Sequence, residues 1–400
     1  MSAGPIRKVS VRDLDVAGRR VFVRVDFNVP LEGGAVADDT RIRASLPTLE
    51  WILDHGGFPV LASHLGRPKG KVVPSCSLAP VADRLRRLLR RQVVLAEDCV
   101  GEAAERASRA LSAGQALLLE NLRFHPEEEK NDSVFAQKLA CLADAYVDDA
   151  FGSAHRAHAS VAAVCAHFHP ASAGLLMERE IDYLGRLLGS PARPYVAILG
   201  GAKVSDKVAL VKNLLPRVDV ILIGGAMAYT FLAARGVPVG ASRVERESLD
   251  IAREILDEAT ASDTELLLPV DHRVAVSLEN PGEGERVETE SIPEGRIGLD
   301  IGERTIQQFT EQIRTAGTVL WNGPVGLFEK PPFDRGSLGV AQAVVASKAL
   351  SVAGGGDTAS ALARFSLANR FSHVSTGGGA SLEFLSGLTL PGIAALTDKS

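Results

Sequence analysis

The sequence has no uninterrupted apolar run long enough to cross a bilayer, so no membrane partner is expected. Its first residues, Met1-Ser-Ala-Gly-Pro-Ile-Arg-Lys8, have no apolar core of the signal-peptide kind. Cysteine is scarce: Cys76, Cys99, Cys141 and Cys165 show no metal-ligand spacing and read as thiols of a reduced, cytoplasmic protein. There is no excess of positive charge. The net charge is −5, which excludes a general polyanion-binding surface and leaves no nucleic acid as an expected partner. The basic run Arg84–Arg91 has leucines at helical spacing and reads as the solvated face of an amphipathic helix. Two nucleotide signatures are missing. No G-x-x-x-x-G-K-[ST] loop occurs, and no G-x-G-x-x-G opens a first βαβ unit, which disfavours a dehydrogenase. No low-complexity tract or internal repeat appears beyond two similar halves.

What is present is an ordinary globular composition, 46% apolar and 23% charged over 400 residues, too long for one core. Apolar, partly β-branched runs alternate with helical patterns, the signature of parallel sheets covered by helices. The first half offers strands at 20–26, 59–63, 93–96, 116–120 and 145–148. The second offers 195–199, 220–223, 266–269, 319–321, 351–353 and 373–375. The helix Met177–Leu188, stopped by Gly189 with Pro191 beyond, lies between the halves. Residues 277–298, rich in glycine and acid, read as an exposed loop or edge excursion. The apolar Leu390-Pro-Gly-Ile-Ala-Ala-Leu396 is expected to dock on a surface.

Ligands of open α/β sheets bind beyond the carboxyl ends of the strands. In the first half those positions carry Asp26-Phe-Asn-Val-Pro30, His64-Leu-Gly-Arg-Pro68, Asn121-Leu-Arg-Phe-His125 and Asp149–His158. Arg41 and Arg43 are placed on the loop after the first strand, before a helix starting near Ser45. Arg41, Arg67, Arg123 and Arg156, with His64 and His158, should converge at one sheet edge. Their mutual repulsion needs a ligand to offset it, and guanidinium suits phosphate or carboxylate. A single such arginine would be an ordinary surface ion-pair partner.

In the second half the strand ends carry glycine: Gly200-Gly-Ala-Lys203, Gly224-Gly-Ala-Met227, Asn322-Gly-Pro-Val-Gly326, Gly354-Gly-Gly-Asp-Thr358 and Gly377-Gly-Gly379. Strand, glycine turn and helix can bring amides to an anion, with Lys203 and Lys207 adding charge, although a plain strand-to-helix connection looks the same. Asp357 offers a hard oxygen for Mg²⁺ or serves only as a cap, and Thr358 can cap the following helix. The amides at Gly377, Gly378 and Gly379 can hold a phosphoryl oxygen or form only a tight turn.

Taken together, Arg24-Val-Asp-Phe-Asn-Val-Pro30, Ser63-His-Leu-Gly-Arg-Pro68, Glu120-Asn-Leu-Arg-Phe-His125, Ala154-His-Arg-Ala-His158, Gly200-Gly-Ala-Lys203, Trp321-Asn-Gly-Pro324 and Gly354-Gly-Gly-Asp-Thr358 resemble the phosphoglycerate kinase family, in that order and over nearly the whole chain. The resemblance implies an α/β protein of two Rossmann-like domains with parallel sheets facing across a cleft, joined by a hinge helix. The implied domains are a 3-phosphoglycerate-binding domain at 1–176, the helix at 177–189, a nucleotide-binding domain at 190–385, and a tail at 386–400 that docks back on the first domain. It implies reversible, Mg²⁺-dependent phosphoryl transfer from 1,3-bisphosphoglycerate to ADP, by a cytoplasmic monomer. The triose phosphate would be held by Asp26, Phe27, Asn28, Arg41, His64, Leu65, Gly66, Arg67, Arg123 and Arg156. The nucleotide would lie on Gly201, Ala202, Lys203, Lys207, Gly224, Gly225, Asn322, Glu329 and the loop Gly354, Gly355, Gly356, Asp357 and Thr358, with Asp357 on the metal. Arg41, Lys203 and the amides of Gly377, Gly378 and Gly379 would surround the transferred phosphoryl group. The pattern departs from the family at Ala226, at Glu303 and across Ser386–Thr389. A non-catalytic nucleotide or sugar-phosphate sensor on the same fold is the alternative; it would be favoured by loss of Lys203 or Asp357, and both are present.

Overall fold

The structure is a computed structural model and describes residues 6–399. The first five residues, part of the stretch read for a leader, lie outside the described residues, as does Ser400. The chain divides into two compact units. One comprises residues up to Asp182 together with those from Thr389 onward; the other is Tyr183–Leu388.

The first unit is built on a six-stranded parallel sheet in the spatial order Gln92–Leu95, Gln115–Leu118, Phe58–Ala62, Arg20–Arg24, Ala145–Asp148, Ala171–Ala173. Val21, Val23, Leu61, Leu118 and Val147 put their side chains into one continuous core with Leu49, Ile52 and Leu85 from the covering helices. Burial on both faces is what makes these strands near-continuous apolar runs. The edge strand Ala171–Ala173 was not expected, because Ala-Ser-Ala carries no β-branched signal. The helix Ala79–Leu89 buries Val81, Ala82, Leu85 and Leu89 and turns its arginines outward, as its spacing predicts.

The second unit holds another six-stranded parallel sheet, in the order Glu265–Leu267, Val220–Ile223, Tyr195–Leu199, Thr318–Asn322, Leu350–Gly354, His373–Val374. Numbered along the chain this is 3-2-1-4-5-6, whose switch point falls between the first and fourth strands. The residues that follow those two strands are Gly200–Lys203 and Gly323, so the fold itself marks this corner for a ligand.

One reading needs correction. Arg41 and Arg43 are not on a loop: they occupy the first turn of the helix Thr40–Asp54. Its apolar periodicity starts later than its backbone does, and Arg43 pairs with Asp39 before the helix at 2.8 Å. Residues 277–298 form the edge excursion, one of the two alternatives expected of them. They include the strand Glu285–Val287, which pairs antiparallel with His272–Ala275, itself paired with Ile297–Ile301. Ala275 and Leu299 of this small sheet pack with Phe333, while Ile301 joins the main core of the unit. Leu31–Glu32 and Ala35–Val36 form a further hairpin, closed by Gly33 and Gly34 at φ +56° and +79°.

The helix Leu175–Leu188 carries the chain from the first unit into the second. Thr48 Oγ1 accepts from its first amide, Leu175, at 2.9 Å, and Asp149 Oδ1 accepts from the next two, Leu176 at 2.9 Å and Met177 at 3.2 Å. The C-terminal segment packs within the first unit: Gly392 donates to Ala154 O and Thr397 to Ala171 O.

Candidate active site

In the first unit the strand ends form one connected polar surface. Asp26, beyond the first strand, accepts from Arg41 Nη1 at 2.9 Å, and the same nitrogen lies 3.4 Å from Asn28 O. Asn28 Oδ1 accepts from Gly66 N at 2.9 Å, and Gly66 O accepts from Arg123 Nη1 at 2.8 Å. Asp26, Asn28, Arg41, Gly66 and Arg123 are thus tied in series across three strand ends. A pocket beside them is lined by Asn28, Val29, Pro30, Asp38, Thr40 and Arg41. Phe27 is buried and donates its amide to Ser63 Oγ at 2.9 Å, while Leu65 is buried behind the loop. Arg67 is exposed beside Gly66.

His64 lies at the electrostatic centre of this surface. Burial pushes its pKa well down, helped by the charges of Arg24, Arg123, His158 and Arg41. Burial also pushes His158 down to about 3, with Arg24, Arg123 and Arg156 adding to the effect. Both imidazoles are therefore neutral at pH 7. Arg24 Nη2 donates to His64 Nδ1 at 3.3 Å, which leaves the His64 proton on Nε2. Arg156 Nε donates to His155 Nε2 at 3.0 Å.

Sequence reading assigned no role to three residues that hold this surface. Arg24 is wholly buried, donating to Ser160 Oγ at 2.8 Å and to Val25 O. Glu128, also wholly buried, accepts from Ser160 N and Oγ and supplies negative charge near Arg24 and Arg123. Asn121 Oδ1 accepts from Leu65 N and Arg123 N while its amide donates to Leu65 O and Cys76 O. The arginine inside an apolar strand, Arg24, was the signal available for this inner layer.

In the second unit the glycines divide into two kinds. Gly200, Gly201, Gly224 and Gly225 donate their amides to Asn322 O, Pro324 O, Leu199 O and Val325 O. These amides are consumed by the scaffold and do not wait for an anion. A Cβ on Gly200 would lie 2.1 Å from Pro324 O, and one on Gly225 would lie 2.6 Å from Gly201 N. Gly200→Ala is therefore expected to lower the unfolding free energy by at least ~1–3 kcal/mol, read from urea denaturation. An unchanged midpoint would show that this corner yields freely. By contrast, nothing lies within 4 Å of a Cβ on Gly356, Gly378 or Gly379. Gly377 differs again, since its amide already donates to Ser375 Oγ at 3.1 Å.

Around the open glycines stand the charged groups. Lys207 donates to Asn322 Oδ1, and Asn322 Nδ2 lies against Gly354 and Gly355. Burial pushes Lys207 down to about 8, opposed by the charges of Asp206 and Asp357. Asp357 is exposed in the first turn of the helix Gly356–Arg364. Thr358 does not cap that helix: its hydroxyl accepts from Gly323 N at 2.7 Å and ties two strand ends together. Lys203, Ala202 and Glu329 are exposed.

Two of the departures noted in the sequence, Glu303 and Ala226, fit their surroundings. Glu303 opens the helix Glu303–Thr315 and pairs with Arg273 at 2.9 Å and Arg286 at 3.3 Å. Ala226 sits at φ −65°, where alanine is unstrained. Among the described residues, one group has metal-ligand atoms within 4.8 Å of one another: Asp98, Cys99 and His125. Asp98 Oδ1 already accepts from Cys99 N at 2.6 Å and from His125 Nε2 at 2.7 Å, so the group is satisfied by its own hydrogen bonds.

Comparison with known proteins fits this geometry. The family model described as phosphoglycerate kinase matches residues 11–388. The chain is 54% identical over 385 residues to the phosphoglycerate kinase of Anaeromyxobacter dehalogenans (strain 2CP-C), covering 96% of this chain and 97% of that protein. It is also 54% identical over 393 residues to that of Desulforudis audaxviator (strain MP104C), covering 98% of this chain and all of that one. The solved phosphoglycerate kinase of Coxiella burnetii superposes with a TM-score of 0.88 at 39% identity, covering 97% of this chain and 98% of that chain. No helix among the described residues is long and apolar enough to cross a membrane. The chain belongs to the phosphoglycerate kinase family, phosphotransferases of glycolysis whose acceptor is a carboxyl group.

Proposed function

We propose that the first unit binds the triose phosphate and the second binds the nucleotide. The reaction is reversible transfer of a phosphoryl group from 1,3-bisphosphoglycerate to ADP, giving 3-phosphoglycerate and ATP. The observation that carries the division is the electrostatic cluster of Arg24, Arg41, Arg123 and Arg156 about the neutral pair His64 and His158. Several guanidinium groups gathered at one sheet edge favour a small, multiply anionic ligand even with Asp26 paired to Arg41 at 2.9 Å and Glu129 to Arg123 at 3.3 Å. In this reading Arg41, Arg67, Arg123 and Arg156 hold the phosphate and carboxylate. Asp26 and Asn28 take the remaining polar groups, and His64 donates from Nε2.

On the second unit Lys207, Lys203 and the exposed amides of the Gly356 loop meet the nucleotide phosphates. Glu329 takes the ribose, and Gly224 and Gly225 flank the base. Asp357 fits Mg²⁺ as one hard, exposed carboxylate; a single protein ligand suits an ion held chiefly by nucleotide phosphates and water. When bound, Mg²⁺ would neutralise charge on those phosphates. The protein acts on small molecules as a cytoplasmic monomer.

The chemistry asks little more of the chain. In the ATP-consuming direction the nucleophile is a carboxylate, ionised near pH 7, so no general base is required. Catalysis then rests on positioning two anions and stabilising the charge of the transferred group, which falls to Lys203 and the open amides of Gly378 and Gly379.

Lys207 makes the nucleotide assignment testable. Its cation is half lost at about pH 8 in the free protein. A phosphate at Lys207 favours the charged form, so binding must take up a proton above that pH. Affinity for ADP is expected to fall as pH rises through 8 toward 9.5, by calorimetry corrected for buffer ionisation. A flat profile would place the phosphates away from Lys207.

A further inference from the structure

The turn that carries Lys203 is held by a side chain outside the motifs. Glu245 is 8% exposed and lies just before the short helix Arg246–Ser248. Its Oε2 accepts from Val204 N at 2.5 Å and from Ser205 N at 3.1 Å, and its Oε1 accepts from Ser205 Oγ at 2.7 Å. Three donors from the two residues after Lys203 thus converge on one carboxylate. These donors lie where the turn after the strand Tyr195–Leu199 enters the short helix Ser205–Lys207. Glu245 is anchored in turn. Its own amide donates at 3.1 Å to Oγ1 of Thr230, a buried residue of the helix Met227–Ala234 that follows Gly224-Gly225. Burial raises the Glu245 pKa, but the Ser205 and Val204 bonds and the charge of Lys203 outweigh it and keep the carboxylate ionised.

We propose that Glu245 is a positioning residue for phosphoryl transfer, fixing the backbone from which Lys203 reaches the transferred group. The proposal rests on the reading above that Lys203 touches that group. Lys203 is exposed on a glycine-flanked turn, and a long, mobile side chain contributes to a transition state only if its base is fixed. The clamp supplies that fixity with hydrogen bonds to a charged acceptor, the stronger kind. Glu245 makes no contact with a reacting atom in this account. Its effect passes entirely through Lys203.

A double-mutant cycle tests this. Glu245→Ala is expected to lower kcat by roughly 10-fold or more, the scale of a small misplacement, with KM for 3-phosphoglycerate unchanged. On a Lys203→Ala background the same substitution should change kcat by less than about 2-fold, because the residue it serves is gone. Glu245→Gln keeps an acceptor oxygen and should recover most of the parental kcat. Should Glu245→Ala not fold, Ser205→Ala removes one of the three donors and is expected to show the same dependence on Lys203. Equal losses on both backgrounds, or a folded Glu245→Ala at the parental rate, would overturn the proposal. If Lys203→Ala itself turns over like the parent, the reading of Lys203 fails first. If Lys203→Ala is crippled and Glu245→Ala is not, only the role of Glu245 fails.

Discussion

Lys203→Ala is expected to lower kcat by roughly 10²–10³ while leaving the protein folded, the range seen on removing one donor to a transition-state charge. Lys203 stands exposed at the switch point of the second sheet, separated by one residue from a glycine pair whose amides are committed to the scaffold. With Gly200, Gly201 and Gly377 already donating to protein acceptors, fewer amides remain to stabilise the phosphoryl group. More of that work falls on the ammonium. Removing an exposed side chain leaves no buried cavity, so urea denaturation should match the parent. Steady-state assay in both directions is the check. Parental turnover would remove Lys203 from the mechanism.

Arg67→Ala should weaken 3-phosphoglycerate binding by about 10- to 100-fold, the loss of one or two charge-assisted hydrogen bonds. The affinity for ADP should stay within about 2-fold, since Arg67 belongs to the unit that does not carry the proposed nucleotide residues. Arg67 is exposed beside Gly66, whose amide and carbonyl are fixed by Asn28 and Arg123. Arg123 would be a poorer choice, because its side chain also holds Gly66 and its loss would disturb the loop. Calorimetry with each ligand separately decides the matter. Loss of ADP affinity with intact 3-phosphoglycerate affinity would reverse the assignment of the two units.

The parallel strands were legible because both faces are buried, so apolar character runs along the strand whatever the register. Tyr195–Leu199 and Val220–Ile223 were read to the residue. Elements that pack on one face or through small residues were not. His272–Ala275 and Ala171–Ala173 carry too little apolar pattern to stand out from loops. Arg41 was misplaced for a related reason: in the helix Thr40–Asp54 the buried positions after Ile42 are Ser45 and Thr48, so its apolar pattern resumes only at Leu49. Charged strand-end residues were visible as a set, since topology places such residues at one edge. Their supports were harder to see. Glu245 serves backbone N–H groups some 40 residues away in the chain, and a backbone donor leaves no mark in a sequence. The glycine pairs carry a second demand that the sequence did not show, since they also fit one another: Gly200 and Gly225 are required by Pro324 and Gly201.

The division of labour between the two units is tested most directly by a crystal structure of the protein with 3-phosphoglycerate and ADP. The account predicts the triose phosphate and carboxylate against Arg41, Arg67, Arg123 and Arg156, with His64 Nε2 in hydrogen-bond reach, and the ADP phosphates beside Lys207 and Gly356. Density for the sugar acid on the glycine-bearing sheet, or a triose ligand that touches none of those arginines, would contradict it.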